Sequence, residues 1–287
     1  MNRPVRWTIL TVTGIYFLLP MVASVIFTVR DRNGHLHFDA YTQIPQTEGF
    51  GDALRRSLVL ALLTVLGALA VTIPALLAVH LRLPRMRPLV EFLSLLPLAI
   101  PPIALVSGVR DVLKLGPNQL AGTPLGDALV SSQDPQLPWV LVVVYIVLAL
   151  PFAYRALDAG IRSIDVRTLV DAARGLGAGW PGVVFRVLLP NLRSAVLGAA
   201  FLTIALVLGE FTISSILLFE TLPTWLVKIA GEHGQESVAV SVVSLLFAWL
   251  LLLLVSLADR RTGGRARPVE EPEATIPVEI PAHAETA

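Results

Sequence analysis

Six apolar stretches, at residues 7–29, 57–79, 89–109, 138–154, 194–219 and 237–258, divide this 287-residue chain into alternating apolar and polar segments. Crossing the hydrocarbon of a bilayer takes about 20 apolar residues as helix, because lipid offers backbone N–H and C=O groups no partner outside their own segment. The first, second and sixth stretches carry no charge, and the fourth, the shortest, is bracketed by Trp139 and Tyr154, aromatics suited to the interface. With 55% hydrophobic and 15% charged residues, a soluble fold that hides six such helices is the weaker reading. The chain is therefore expected to be an all-α polytopic membrane protein with six transmembrane helices. Its organisation would be a short N-terminus over 1–6, a span-bearing domain over 7–259 and a tail over 260–287.

The first stretch follows Arg3 and Arg6, as a secretory signal would. It runs uncharged for 23 residues without a convincing small-x-small cleavage site before Arg30, which favours an uncleaved anchor. With six spans both termini share one side, and the segments on that side hold 15 of the 22 Arg and Lys residues against 7 on the other. The positive-inside rule then places both termini, and the long break after the fourth stretch, in the cytoplasm. Arg55 and Arg56 dissent, standing at the outer end of the second span. The tail, rich in Arg, Pro and Glu, lacks apolar periodicity and is expected to be solvated and disordered.

Several function classes find no support. A net charge of +1 and the lack of a basic block with interleaved aromatics give no case for nucleic acid. Without cysteine there is no disulfide or thiolate chemistry. His35 and His37 lack an evident third ligand, so no metal site is expected. No catalytic constellation stands out and no phosphate-binding Gly-x-x-x-x-Gly-Lys-Ser/Thr loop is present, so an enzyme is not expected.

The cytoplasmic break, about 158–193, carries the most informative pattern. In residues 162–177, Val166, Leu169, Val170, Ala173 and Leu176 recur at helical spacing and form one apolar stripe. Asp165 can cap the first turn, and Arg167/Asp171 and Asp171/Arg174 are spaced for pairing on a helix face. Gly177 and Gly179 end the helix, Trp180-Pro181 restarts one, and Pro190 closes it before the chain re-enters the bilayer. From periodicity alone this is an amphipathic helix–turn–helix along the membrane surface, and a simple connector remains open.

The spacing Asp171-Ala172-Ala173, three residues, Gly177, nine residues, Val187, one residue, Leu189-Pro190 resembles the loop of the inner-membrane permease subunits of binding-protein-dependent ABC importers. Asp stands for the family's Glu and Val for its Ile. The resemblance extends from the first span to about Asp259. Leu96-Pro97-Leu98-Ala99-Ile100-Pro101-Pro102 and Gly209-Glu210-Phe211-Thr212 are similar to the small-solute branch. The resemblance implies a type I importer fold in which the 162–190 loop forms a coupling helix seated on a separate cytoplasmic ABC ATPase dimer. It also implies a second permease subunit, identical or homologous, and an extracytoplasmic solute-binding protein. This chain would bind no cofactor, ATP and magnesium being used by the partner ATPase. The alternative is a stand-alone secondary carrier or channel, which internal inverted repeats would support, but none is evident.

Within the spans, Glu210 is a costly charge in lipid and must face a cavity or a partner. It reads either as a pathway residue or as a hydrogen-bonding post between helices. Glu91, beside Arg85 and Arg87, is expected in an interfacial ion pair. Pro101 and Pro102, with Pro97, must interrupt the third span, as a passive kink or along a water-filled path. Ser107 and Thr212 are donors for a solute or for a neighbouring helix. The resemblance to the small-solute branch implies a polyamine, ferric iron, a phosphonate, thiamine or an oxyanion as cargo. A polyamine is preferred because Glu210 would suit a cation.

Overall fold

The computed structural model describes residues 3–30 and 35–263; the expected tail lies outside the described residues from residue 264 onward. The described residues are helical almost throughout, with one isolated bridge among them, between Arg30 and Leu36. Helix α1 (Arg3–Val29) is followed by the single turn α2 (Asp39–Thr42) and by α3 (Phe50–Leu81). The broken third stretch gives α4 (Arg87–Leu95), a 3₁₀ turn over Leu96–Ala99, and α5 (Pro102–Asn118). Then come α6 (Pro124–Ser131), α7 (Trp139–Arg162), α8 (Val166–Gly175), the short turns α9 (Trp180–Gly182) and α10 (Leu189–Asn191), and α11 (Arg193–Gly209). Finally α12 (Thr212–Ile216) and α13 (Leu222–Ile229) lead to α14 (Gly234–Gly263).

The centre of the fold is the packing of α3, α7 and α11. Small residues let these backbones approach, as is usual where lipid removes the hydrophobic drive between helices. A Cβ at Gly67 of α3 would fall 2.2 Å from Ile146 Cδ1 of α7, and one at Gly160 of α7 would fall 2.3 Å from Ala195 Cβ of α11. One buried cluster at the α3 C-terminal end joins Leu76, Leu157 and Ala199 to Val166, Val170 and Val183 of the loop that follows α7. A second, toward the other end, joins Leu60, Val106, Leu141, Val207 and Ile213. A third, built from Ala40, Ile44, Ala53, Leu222, Trp225 and Val240, folds the segments around α2 and α13 into a cap. The loop and the cap thus lie at opposite ends of α3, whose 32 residues extend about 48 Å at 1.5 Å per residue.

The spans differ from expectation in detail. Among the described residues, three helices are long and apolar enough to cross a membrane singly, Val5–Val29, Phe50–Leu81 and Trp139–Arg162. The third stretch is not one straight helix: Pro84–Ala99 and Pro102–Asn118 meet at 98°. The cause is local, since a residue before proline is pushed out of the helical region. Ile100 before Pro101, and Pro101 before Pro102, accordingly have ψ of 121° and 137°. The fourth helix runs to Arg162, eight residues beyond its expected end, and so carries Asp158 with it. The last helical segment of the loop, Trp180–Asn191, meets α11 at 81°, and the fifth stretch itself is broken at Glu210, which is extended (ψ 113°). Arg56, which dissented from the charge rule, donates from Nη1 to the Glu220 carbonyl at 2.5 Å and so ties α3 to the cap.

Candidate functional site

The loop between α7 and α11 is a packed element. Asp165 caps α8: its carboxylate accepts from the Thr168 N–H at 3.2 Å and from the Thr168 hydroxyl at 2.6 Å. These hydrogen bonds hold its pKa below the ordinary carboxylate value. Val166, Val170 and Ala173 turn inward, and Leu169 is half-buried. Leu176, expected on the same stripe, does not join it. It lies just past the last helical residue and is 90% exposed. There the helix closes in a Schellman motif. Ala178 N donates to Ala173 O at 3.0 Å and Gly177 N to Arg174 O at 2.9 Å, with Gly177 at φ +84°. Gly179, expected to help end α8, instead is the extended residue that starts α9.

The return strand of the loop continues from α9 as a π-helical turn, Val183–Leu188, into α10. Pro190 has no N–H to give the preceding turn, and the wider turn accommodates its ring. Pro190 therefore does not close the helix by itself; Asn191 extends it, its side chain donating to the Val187 carbonyl at 2.7 Å. Trp180 sits between two guanidinium groups, Arg82 at 5.0 Å and Arg174 at 5.2 Å from the ring centre, within cation–π range. The helix-face pairs expected for Asp171 do not form. Arg174 is on Trp180, Arg167 Nη2 reaches the His80 carbonyl at 3.3 Å, and Asp171 makes no ion pair among the described residues.

The motif residues consequently divide. Asp171 and Ala172 face outward with Leu176. Ala173 is in the core and Val187 packs against it; Leu189 is half-buried, while Pro190 and the turn residue Gly177 are exposed. The second group builds the loop and the first group is left available to a partner.

Beneath the loop is a charged cluster that the sequence reading missed. Asp158, its side chain 8% exposed, lies 3.3 Å from His80 Nε2, 3.4 Å from Arg87 Nη2 and 2.5 Å from Arg162 Nη2. It joins the end of α3, the start of α4 and the end of α7. Arg87 is thus committed to Asp158, and the expected ion pair of Glu91 with Arg85 or Arg87 is not present. The available signal was the i, i+4 spacing of Asp158 and Arg162, which extends the fourth helix past Tyr154.

At the break in the fifth span, Glu210 uses both carboxylate oxygens on donors of the protein. Oε1 accepts from Ile213 N at 2.7 Å; Oε2 accepts from the Tyr145 hydroxyl at 2.9 Å and Ser214 N at 3.3 Å. The carboxylate caps α12 and ties it to α7. Tyr145, mid-way along the fourth apolar stretch, was the unread sign of this partner. Thr212 is half-buried at the first turn of α12. Pro101, Pro102 and Ser107 are exposed at the start of α5. Their neighbour Val106 shares a buried cluster with Ile213, so the two broken spans belong to one packed unit.

Comparison with known proteins agrees with this architecture. A family model described as "Binding-protein-dependent transport system inner membrane component" matches residues 70–267. A probable molybdenum ABC transporter permease of Haloferax volcanii is 30% identical over 247 residues, covering 83% of this chain and 84% of that one. A putative 2-aminoethylphosphonate transport system permease of Salmonella typhi is 25% identical, covering 93% and 95%. A sulfate transport system permease of Synechocystis is 26% identical, covering 90% and 94%. Among solved structures, a chain of a bacterial alginate ABC transporter, in complex with an alginate pentasaccharide-bound periplasmic protein, superposes with a TM-score of 0.63 at 19% identity, covering 91% of this chain and 95% of that one.

Proposed function

The chain belongs to the family of binding-protein-dependent transport system inner membrane components, and from that premise we propose that it works as follows. It is an ABC importer permease subunit that forms half of a translocation path, and it receives its energy from a separate cytoplasmic ATPase dimer through α8. A second permease subunit completes the path, and an extracytoplasmic solute-binding protein delivers cargo to the end that carries the α2/α13 cap. ATP and magnesium are used in the ATPase. The observation that carries the coupling role is the division of α8. Its inward face is buried and fixed at both ends by Asp165 and Gly177, while Asp171, Ala172 and Leu176 project outward from a rigid support.

Relatives named for molybdenum, 2-aminoethylphosphonate and sulfate support a tetrahedral oxyanion as cargo. The earlier preference for a polyamine rested on Glu210, and the carboxylate is occupied by Tyr145, Ile213 and Ser214. We therefore replace the polyamine with an oxyanion.

The chain has no cysteine, so one introduced thiol is unique. Ala172→Cys and Leu176→Cys should each cross-link to a nucleotide-binding subunit in native membranes, whereas Leu218→Cys at the opposite end should not. Equal cross-linking from both ends, or none from α8, overturns the coupling assignment.

A further inference from the structure

From the exposed face of α5 we infer an anion-contact site at the outer mouth of the path, with Arg110 as its charge-selecting residue. The inference rests on the oxyanion reading above and names a residue for it. Val106, Leu113 and Gly116 bury one side of α5. Ser107, Arg110 and Lys114 fall on the other, at i, i+3 and i+7, and all three are exposed. This polar stripe begins directly after the Pro101–Pro102 break. Arg110 and Lys114 lie past residue 109, where the third apolar stretch ends, among the cations of the outer side.

A cavity of about 270 Å³ lies beside Arg110 and Lys114, walled by them with Leu113, Pro117 and Gln133 on one side and by the Ile216–Phe219 turn on the other. That turn closes α12, with Phe219 N donating to Ser214 O at 2.9 Å and Leu218 N to Ser215 O at 3.2 Å. Its Leu218 is held at φ +62° and is 85% exposed. A branched side chain in the left-handed region is strained by roughly 1 kcal/mol, and such strain gathers where function needs a fixed shape. The turn also belongs to the helix that Glu210 caps. A ligand in the cavity therefore touches the broken fifth span and the helix after the broken third span together.

The charge at this end is unevenly committed. Of the cations on α3, α5 and α13 here, Lys114 pairs with Asp111 at 3.0 Å, Lys228 with Glu220 at 3.0 Å and Arg55 with Asp52 at 3.7 Å. Arg56 serves the Glu220 carbonyl. Arg110 has no acidic partner among the described residues. A guanidinium offers two parallel N–H groups that match two oxygens of a tetrahedral oxyanion. One exposed arginine is also the right strength for a mouth, where cargo must be attracted and then released.

The test is uptake of radiolabelled molybdate, sulfate and 2-aminoethylphosphonate by cells in which this transporter is the sole route, comparing Arg110→Lys, Arg110→Gln and Arg110→Glu. Membrane abundance and co-purification of the ATPase and the binding protein are measured beside it. For the anion that the wild type carries, Arg110→Gln should lower uptake kcat/KM about tenfold, the lower end of electrostatic focusing in a cleft. Arg110→Glu should lower it further, Arg110→Lys, which keeps the charge without the two parallel donors, should fall between wild type and Arg110→Gln, and assembly should be unchanged in all three. Normal uptake in Arg110→Glu overturns the site while leaving the oxyanion reading intact. Loss of binding-protein capture in Arg110→Glu overturns it in favour of a protein-docking role. A wild type that carries none of the three anions overturns the oxyanion reading, and the site with it.

Discussion

Asp158→Ala should loosen the joint beneath the α7–α11 loop without touching the loop itself. The Asp158 carboxylate is 8% exposed and faces His80, Arg87 and Arg162, whose side chains are 17%, 33% and 54% exposed. Removing one partner of a fully buried ion pair costs about 3–5 kcal/mol, because the remaining charge is stranded. Here Arg162 and, to a lesser extent, Arg87 can turn to water, so the low end, ~3 kcal/mol, applies. Asp158→Asn retains the shape and one acceptor oxygen and should cost about half as much. On soluble-domain scaling ~3 kcal/mol lowers the melting temperature by roughly 6–12 °C for a chain of this size. The assay is thermal unfolding of the purified transporter in mild detergent, with amide exchange read over Arg87–Leu95 and Val166–Gly175. Exchange should rise in both segments, since Asp158 ties α4 to the helix that carries α8, and Arg167 hangs from the same His80. A melting temperature within 1 °C of wild type, with unchanged exchange, would refute the reasoning.

Other perturbations separate support from contact. Gly177→Pro cannot adopt φ +84° and deletes the N–H that bonds Arg174 O, so it should unravel the end of α8 and abolish ATPase capture. Gly177→Ala should cost only about 1 kcal/mol and keep most capture; immunoprecipitation reads both. Gly160→Leu places side-chain atoms where Ala195 already lies and should separate α7 from α11, seen as loss of folded protein in detergent by size-exclusion chromatography. Glu210→Gln and Tyr145→Phe each remove part of the cap on α12 and should each cost about 1–2 kcal/mol. Their double mutant should cost less than the sum, and strict additivity in thermal melts would show that the two side chains do not act together.

The helical membrane architecture was legible because apolar runs of span length in lipid permit little else, and the local structure of the loop after α7 because its pattern combines a cap, a stripe and a left-handed glycine at fixed intervals. Asp165 and Gly177 occupy the positions that local rules require of them. What escaped the sequence depends on partners far apart in the chain. Arg87 belongs to Asp158, not to Glu91, because the bend at Pro97–Pro102 brings α4 onto α7; the prolines announce a break but not the direction in which α4 turns. Leu176 keeps the helical spacing of the stripe, yet the Schellman turn begins at that residue and swings it outward. Glu210 announced its importance by its cost in lipid. Only the fold shows that Tyr145, 65 positions earlier, is the group that answers it.

Affinity purification of the tagged chain in mild detergent, with mass spectrometry of what accompanies it, tests the central claim most directly when wild type and Asp171→Arg are run side by side. The account predicts that a nucleotide-binding ABC subunit accompanies the wild type and is lost or sharply reduced from Asp171→Arg, while both chains insert into the membrane in equal amounts. Equal ATPase recovery from both, with coupled uptake intact, would contradict the assignment of α8 as the coupling helix. Recovery of the chain alone, even after gentle cross-linking, would contradict the ATPase partnership itself.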